Sequence, residues 1–452
     1  MTLIKDRSFY RQLARIALPL ALQNIITVGV SMTDTVMLGQ LGETAISASS
    51  LANQPYFIFY LMLCGLSGGS IVLTAQYWGK QDTASISKVT GIALRFSILL
   101  AAAVVLLCQL FPEEIMGFYT NEPDVVTEGV KYLRIVSFSY LLSAVTVIYL
   151  CVMRSVERVK ISLASSIVAF VTNVGLNAVL IFGLGPAPAL GVEGAAIATL
   201  SARVAEFLIV MIYAAVQNKK WFHLKLSYLV RADGGLLRDF FRYSTPVLLG
   251  ETCWGVGISM QAAVIGNLGN SASAAANIVG VVQKLTTVLI FGVCDATTVI
   301  VGKLIGAGKE EEARAAGSTL VRLSALLGVF SAALALLIGN GAMSAGLFDM
   351  ENQTAEYVHI MLYGTAAFVF LQSFNATTIV GIMRGGGDTR AAFLMDALTM
   401  WLISLPVGLL AGYVFHIPAP FVQILMISDE FVKFFICIWR FKSMKWLTNV
   451  TR

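Results

Sequence analysis

The sequence predicts an all-α membrane protein with twelve transmembrane helices. We expect two six-helix bundles related by a pseudo-twofold axis along the membrane normal. Composition, a series of apolar runs of bilayer length and an internal repeat predict this class. Hydrophobic residues make up 57% of the 452 positions and charged residues 13%, with a mean hydropathy of +0.79. Soluble domains carry about 25% charged residues, so the composition excludes a water-soluble fold.

The apolar runs divide the chain into two halves. A helix needs about 20 predominantly apolar residues to cross a bilayer. Runs of this length lie near 13–38, 45–76, 89–111, 124–152, 161–183, 192–217, 240–265, 272–303, 314–338, 353–383, 391–415 and 417–440. We therefore predict a first bundle at 1–217, a polar cytoplasmic linker at 218–239 and a second bundle at 240–452.

The distribution of lysine and arginine predicts the orientation. The connections near 39–44, 184–191, 266–271 and 412–418 contain neither residue, whereas the linker and the tail after residue 440 are rich in both. Basic residues accumulate on the cytoplasmic side of a membrane. We expect a multi-pass protein of the plasma (inner) membrane with both termini in the cytoplasm.

A repeat relates the two halves, and its first part, from residue 19 to residue 79, needs no gap. A shift of 227 positions carries Pro19 onto Pro246, Gly65 onto Gly292 and Gly79 onto Gly306. Each half has an even number of spans, so both copies face the same way across the membrane. Parallel repeats of this kind are typical of transporters, which bind their substrate where the repeats meet.

Asp34 is a single carboxylate deep in the first apolar run. A charge at bilayer depth costs a few kcal/mol and usually marks a functional site. We expect Asp34 to take up a proton or bind a cation; the alternative is a structural carboxylate satisfied by neighbouring hydroxyls or amides. Pro19, earlier in the same run, removes a backbone hydrogen bond and provides a bending point.

The fifth and sixth spans add neutral polar groups. Asn173 and Asn177 are four residues apart and share one helix face. With Thr199 on the sixth span, they would complement Asp34 in a site for a small hard cation or in a proton relay. We expect transient Na⁺ at Asp34, Asn173 and Asn177 and no tightly bound metal. Asparagines also join membrane helices, which is the alternative role.

The second half offers three charged candidates. Glu251 on the seventh span and Lys284 on the eighth reach similar depths, which predicts an ion pair between them. Lys284 would then either stand in for a bound cation or belong to a purely structural pair. Asp295 aligns with Gly68 of the first half, and its role stays open.

Three further features carry local interpretations. Arg203 with Glu206, and Glu430 with Lys433, have the i,i+3 spacing of helix ion pairs. Asp396 lies close enough to the cytoplasmic edge for a local partner to satisfy it. Six scattered cysteines, three histidines and no H-E-x-x-H predict neither a zinc site nor a cofactor.

The sequence resembles the multidrug and toxic-compound extrusion (MATE) family over essentially its whole length. The stretches that carry the resemblance are MTDTVMLGQLG, GLSGGSIVLTAQYWGK, GVCDATTVIVGKLIGAGK and MRGGGDTR. The resemblance implies a twelve-helix V-shaped fold and export of organic cations or other xenobiotics, driven by inward flow of Na⁺ or H⁺. It assigns coupling to Asp34, a protonation-linked bend to Pro19, and support to Asn173, Asn177 and Thr199.

Three departures from the family pattern bear on the site. Some relatives have an aspartate where this chain has Asn177. Glu251 lies about one turn before the glutamate of NorM-type members, and the tenth-span aspartate of those members is replaced near Ser373. Coupling through the first half is therefore the better interpretation.

The main hypothesis is a cation-coupled antiporter and not an enzyme. Its expected partners are the lipid bilayer and small amphipathic or cationic molecules, with Na⁺ or H⁺ as the transported coupling ion. We expect a monomer and no nucleic-acid partner, since the net charge of +5 is spread over short connections. The alternative is a flippase for a lipid-linked precursor, which would need a more cationic cavity. An intramembrane enzyme would need a His, Ser or metal constellation that the sequence lacks.

Overall fold

The structure of the chain is a computed structural model that describes residues 3–184, 188–218, 225, 227–230, 233–344 and 352–451. All regular secondary structure in these ranges is helical. The predicted all-α class is therefore confirmed. Residues 219–224, 226 and 231–232 of the predicted linker at 218–239 lie outside the described residues.

The described residues of the first half form ten helices, several of which are parts of one predicted span. The helices are α1 (Arg7–Gly39), α2 (Glu43–Ala52), α3 (Gln54–Gly79), α4 (Thr83–Leu110), α5 (Pro112–Tyr119), α6 (Pro123–Val136), α7 (Ser139–Ser155), α8 (Lys160–Phe182), α9 (Gly191–Asn218) and α10 (Ser227–Val230).

In the part of the second half that the structure describes, the chain forms eight α-helices and three π-helical segments. The helices are α11 (Gly234–Asn267), α12 (Asn270–Gly306), α13 (Glu310–Ser344), α14 (Asn352–Ala376), α15 (Thr389–Thr399), α16 (Leu405–Leu409), α17 (Ala419–Ile427) and α18 (Asp429–Lys442). The π-helical segments are Thr377–Arg384, which continues α14, and Met400–Ser404 and Leu410–Val414, which flank α16. Such wider turns are rare and often occur near functional positions.

Ten helices among the described residues are long and apolar enough to cross a membrane, and an eleventh span is the bent pair of α6 and α7. That pair bends by 50° between Val136 and Ser139, where the basic residues Lys131 and Arg134 precede the break. The predicted twelfth span corresponds to α17 and α18, and α18 begins with the charged residues Asp429 and Glu430. The structure is thus consistent with twelve spans.

The chain divides into two compact units. One unit contains residues 1–21, 79–81 and 249–452, and the other contains residues 22–78 and 82–248. Two of the divisions fall just after a proline inside a helix, since α1 is divided after Ala21 and α11 after Leu248. One unit therefore contains two segments from the first half of the sequence, and the other contains one segment from the second half.

Glycines allow equivalent close helix contacts within each unit. In the unit that contains α8, a Cβ atom at Gly65 of α3 would overlap the backbone of Leu248 of α11. In the other unit, a Cβ atom at Gly292 of α12 would lie 2.7 Å from the carbonyl oxygen of Ala17 and 3.2 Å from Cβ of Ala21. The shift of 227 relates Gly65 to Gly292 and Leu248 to Ala21, so the repeat recurs in the packing.

Candidate functional site

Asp34, Asn177, Asn173 and Thr199 form one connected chain of polar groups. The Nδ2 group of Asn177 donates to Oδ1 of Asp34 at 2.5 Å and to Oδ1 of Asn173 at 3.2 Å. Nδ2 of Asn173 in turn donates to Oγ1 of Thr199 at 3.5 Å. The structure thus brings together the four first-half residues that the sequence singles out, from α1, α8 and α9.

The local helix geometry explains this arrangement. Asn173 and Asn177 are one turn apart on α8, so both point toward the same neighbours. The helix α8 packs along α9, which brings Thr199 to the amides, and α1 supplies the carboxylate. A buried apolar cluster that includes Leu38, Tyr132 and Ile181 lies in the same unit. These contacts hold the polar chain between three helices.

Burial differs along the chain of polar groups. Asn173 and Asn177 are 2% and 0% exposed, whereas Asp34 and Thr199 are half-buried. Oδ1 of Asn177 is buried and accepts no hydrogen bond from the described residues. An unsatisfied buried acceptor is costly, and here it lies beside a carboxylate. The group therefore offers amide and carboxylate oxygens that suit a small hard cation.

Asp34 is not held by a fixed cation. Among the residues that the structure describes, Asp34 makes no salt bridge, and its hydrogen-bond donor is the neutral amide of Asn177. The basic residue of this region, Arg203 on α9, pairs with Glu206 at 2.8 Å and lies 5.9 Å from the centre of the Tyr56 ring. The expected Arg203–Glu206 pair is confirmed.

Two interactions near this site are not indicated by the sequence. Asn53, in the one-residue break between α2 and α3, donates to the hydroxyl of Tyr132 at 3.2 Å. Arg203 exerts an attractive electrostatic effect on Asp34 in addition to its pair with Glu206. A helix break at a polar residue is a weak signal, and no spacing in the sequence brings Asn53 to Tyr132.

Pro19 lies inside α1, which runs as one helix from Arg7 to Gly39. Its repeat equivalent Pro246 lies inside α11 in the same way. The structure therefore places the predicted bending point in the helix that carries Asp34, fifteen residues before it. The role of this proline in bending stays a prediction.

The predicted ion pair between Glu251 and Lys284 is wrong. Oε1 of Glu251 accepts from Nη1 of Arg384 at 2.6 Å, and both side chains are largely buried. Lys284 lies on the exposed face of α12. Matching depth on consecutive helices does not determine which face each side chain occupies, and the π-helical segment that ends at Arg384 supplies the actual partner.

Asp295 is half-buried on α12, next to the buried Cys294. It takes part in an interaction within the described residues. Among those residues, no group of three or more His, Cys, Asp or Glu side chains is arranged to hold a metal ion. The candidate cation site at Asp34 therefore contains one carboxylate, and its other possible cation ligands are neutral amide and hydroxyl oxygens.

Relatives of known sequence match nearly the whole chain. A protein of Bradyrhizobium diazoefficiens named "Probable multidrug resistance protein NorM" is 27% identical over 436 residues, which is 95% of this chain and 92% of that protein. The match therefore includes most of both predicted bundles.

Solved structures share the fold at low identity. A structure described as an outward-facing conformation of a multidrug resistance MATE family transporter of the MOP superfamily aligns with a TM-score of 0.86 and 16% identity, over 98% of this chain and 100% of that one. A MOP superfamily transporter from Pyrococcus furiosus, described with the words "Reverse polarity of binding pocket suggests different function", aligns with a TM-score of 0.87 and 16% identity over the full length of both chains. At this identity the likeness establishes the fold.

A protein family model described as MatE matches residues 19–179 and 253–410. The matched segments contain Asp34, Asn173 and Asn177 in the first half, and Lys284 and Asp295 in the second. Thr199 and Glu251 lie outside them. Because the two segments cover more than half of the chain, the protein belongs to the MatE family of membrane transporters.

Proposed function

We propose that this protein is a secondary active antiporter that exports organic cations and xenobiotic drugs in exchange for Na⁺ or H⁺. Coupling runs mainly through Asp34. The family membership and the multidrug-resistance name of the Bradyrhizobium diazoefficiens relative support the transport activity. The coupling role is supported by the contacts of Asp34 and Asn177.

The observation that carries the coupling role is the hydrogen bond from Asn177 to Asp34 together with the unsatisfied Oδ1 of Asn177. A carboxylate in a largely apolar setting favours binding of a positive ion, because its charge is otherwise costly. The amide donor orients Asp34 without neutralising it. The site therefore gains or loses one positive charge while its neighbours stay neutral.

The two coupling ions would use the same groups in different ways. Na⁺ would bind oxygens of Asp34, Asn177 and Asn173, which are the ligands that hard cations prefer. A proton would bind a carboxylate oxygen of Asp34 and turn it into a hydroxyl donor. In both cases the bound positive ion offsets the free-energy cost of the unpaired charge on Asp34. Release of the ion restores that cost. Pro19 allows α1 to bend between the two states.

The antiport cycle follows from this charge change. An organic cation and the coupling ion would compete for the same negative charge, so binding of one favours release of the other. Alternate opening to the two sides of the membrane then converts the inward ion gradient into outward export. The coupling ion is a transported substrate, and no cofactor enters the cycle.

The cellular setting is part of the same proposal. The chain spans the plasma (inner) membrane, its termini are cytoplasmic because the basic connections lie on that side, and it acts as a monomer. The sequence halves 1–217 and 240–452 are the repeats, and 218–239 is the cytoplasmic linker.

The decisive test is dye transport by the purified protein in liposomes with a Na⁺ gradient and a pH gradient imposed separately. An ethidium-like dye should be exported in response to one of the gradients, and Asp34→Asn should abolish gradient-driven export. Glu43→Gln, at the exposed start of α2, is a matched neutralisation that should retain export. Normal export by Asp34→Asn would contradict the coupling role.

A flippase for a lipid-linked precursor remains the alternative. It is disfavoured because the half-buried Arg203 and the largely buried Arg384 each pair with a glutamate, which leaves little positive charge for a pyrophosphate group. If the liposomes moved a fluorescent lipid-linked pyrophosphate and no cationic dye, the efflux proposal would be replaced by this one.

A further inference from the structure

Lys433 on α18 is surrounded by three carboxylates. Its Nζ atom lies 3.1 Å from Oδ1 of Asp396, 3.1 Å from Oδ2 of Asp429 and 3.2 Å from Oε1 of Glu430. The sequence interpretation treated Asp396 separately from the Glu430–Lys433 pair. The structure joins them in one group, which we call the Lys433 cluster.

The Lys433 cluster is buried and carries unbalanced charge. The side chains of Lys433 and Asp429 are each 5% exposed, that of Glu430 14% and that of Asp396 21%. Three ionised carboxylates and one ammonium leave two excess negative charges. Buried charges are normally paired one to one because an uncompensated ion is costly. A second positive charge is therefore required.

No other cation among the described residues on the surrounding helices supplies this charge. Arg384 is engaged with Glu251, and Arg440 binds Asp388 at 2.7 Å. The remaining ionisable groups on α14, α15 and α18 are the exposed side chains of Glu356, His359, Arg390 and Lys442, the phenols of Tyr357 and Tyr363, and the buried thiol of Cys437. The helix α17 and the segment Met400–Ser404, which also pack against α18, carry no ionisable side chain.

An unsatisfied amide oxygen lies next to the same carboxylates. Nδ2 of Asn375 on α14 donates to Oε2 of Glu430 at 2.7 Å and to the main-chain oxygen of Glu430 at 2.8 Å. Asn375 is 2% exposed, and its Oδ1 accepts no hydrogen bond from the described residues. The orientation of the amide is determined, because a flip would direct Oδ1 at the main-chain oxygen of Glu430, which can only accept hydrogen bonds. The oxygen therefore lacks a donor.

We propose that the Lys433 cluster is a proton-binding site in the second half of the chain, shared by Asp396, Asp429 and Glu430. One proton adds to a carboxylate oxygen and converts it to a carboxylic acid, which lowers the excess charge from two to one. The new O–H group is a donor of the kind that Asn375 Oδ1 lacks. The site goes beyond the proposed role of Asp34 and does not depend on it.

The geometry favours a proton over a metal ion. The ammonium of Lys433 already occupies the position between the three carboxylates where a cation would bind. Among the described residues, these carboxylates do not form a group arranged to hold a metal ion. A proton needs no coordination sphere and fits beside the lysine.

The test is infrared spectroscopy of the full-length protein in lipid, in the carbonyl-stretching band of protonated carboxylic acids. Asp396→Asn, Asp429→Asn and Glu430→Gln should each remove about one protonated carboxyl near neutral pH. Each substitution removes one negative charge from the cluster, as the bound proton does, so the cluster no longer retains the proton. Lys433→Met should act in the opposite direction and increase the band, because three carboxylates would then lack any partner.

Glu206→Gln is the matched control. Glu206 is 6% exposed and paired one to one with Arg203, so its neutralisation should leave the band unchanged. The proposal is overturned if none of the three neutralising variants lowers the band, or if added Na⁺ at constant pH removes it. Folding of each variant is verified by its elution as a single species in detergent. The spectrum measures proton occupancy without transport, so its result is separate from that of the dye assay.

Discussion

Asn177 on α8 donates a hydrogen bond from Nδ2 to Oδ1 of Asp34 on α1, across 143 positions of the sequence. The same amide nitrogen also donates to Asn173, so one side chain connects the carboxylate to the rest of the polar chain. Among the neutral residues of the site, Asn177 is therefore expected to have the largest influence on whether Asp34 binds an ion.

Asn177→Ala should distinguish the two coupling ions. A hydrogen bond to a charged group contributes about 1.5–3 kcal/mol, and 1.4 kcal/mol corresponds to about a tenfold change in affinity. Loss of the donor destabilises ionised Asp34, so proton-driven export should shift to higher pH by about one unit. Sodium-driven export should instead need about tenfold more Na⁺, because a ligand oxygen is lost.

The control for this variant is Asn340→Ala, since Asn340 makes an exposed hydrogen bond to Tyr363. Asn340→Ala should leave the dependence of dye export on Na⁺ and on pH unchanged. An Asn177→Ala protein with wild-type dependence on both Na⁺ and pH would show that Asp34 is not governed by this amide.

Thr199 should contribute least of the four site residues. Its hydrogen bond from Asn173 is 3.5 Å long, at the upper limit for such a bond. A neutral hydrogen bond contributes about 0.5–1.5 kcal/mol, and this one belongs at the lower end, or about twofold in ion affinity. Thr199→Val should therefore reduce gradient-driven dye export by about twofold, and Thr199→Ser should retain it. A loss as complete as that of Asp34→Asn would mean that Thr199 binds the ion directly.

The Glu251–Arg384 pair should be important for stability. Removing one member of a buried ion pair costs about 3–5 kcal/mol, because the other charge is left without a partner. Glu251→Gln and Arg384→Met should each lower the thermal unfolding temperature in detergent, and the double variant should recover part of the loss.

Lys284→Met provides the comparison, because Lys284 is exposed and not paired with Glu251. It should leave the unfolding temperature close to that of the wild type. A larger loss for Lys284→Met than for Arg384→Met would restore the pairing predicted from the sequence.

The close contact at Gly292 should not tolerate a side chain. An alanine Cβ would lie 2.7 Å from the carbonyl oxygen of Ala17, and a backbone group cannot move away cheaply. Gly292→Ala should therefore lower the unfolding temperature. Gly280→Ala on the same helix meets nothing within 4 Å and should be neutral or stabilising, since alanine is favoured over glycine in helices by about 1 kcal/mol. Equal effects of the two substitutions would show that the contact at Gly292 is not tight.

Much of the candidate site was predictable because its signals are local. Asp34 was identified by a carboxylate within an apolar run, and Asn173 and Asn177 by their spacing of one helical turn. What the sequence left open was whether α1 and α9 turn Asp34 and Thr199 toward these amides. The structure shows that they do.

The second half shows where such reasoning fails. Depth along a helix predicted Lys284 as the partner of Glu251, but pairing also depends on the rotation of each helix about its axis. Arg384 ends the π-helical segment Thr377–Arg384, whose wider turns change the directions in which its side chains point. The amino-acid composition does not predict such a segment. Likewise, the sequence does not predict the pair of Asp396 and Lys433. The two residues lie on different helices, and their separation along the chain does not show that these helices pack together.

The sequence by itself determined the membrane class and the repeat, because apolar length and residue periodicity add up along the chain. Only the tertiary structure decided the partners of the buried charges: Asn177 for Asp34, Arg384 for Glu251, and three carboxylates for Lys433. The physical reason is that a buried ion is stabilised only by groups within a few ångströms, and that distance is set by helix rotation and packing.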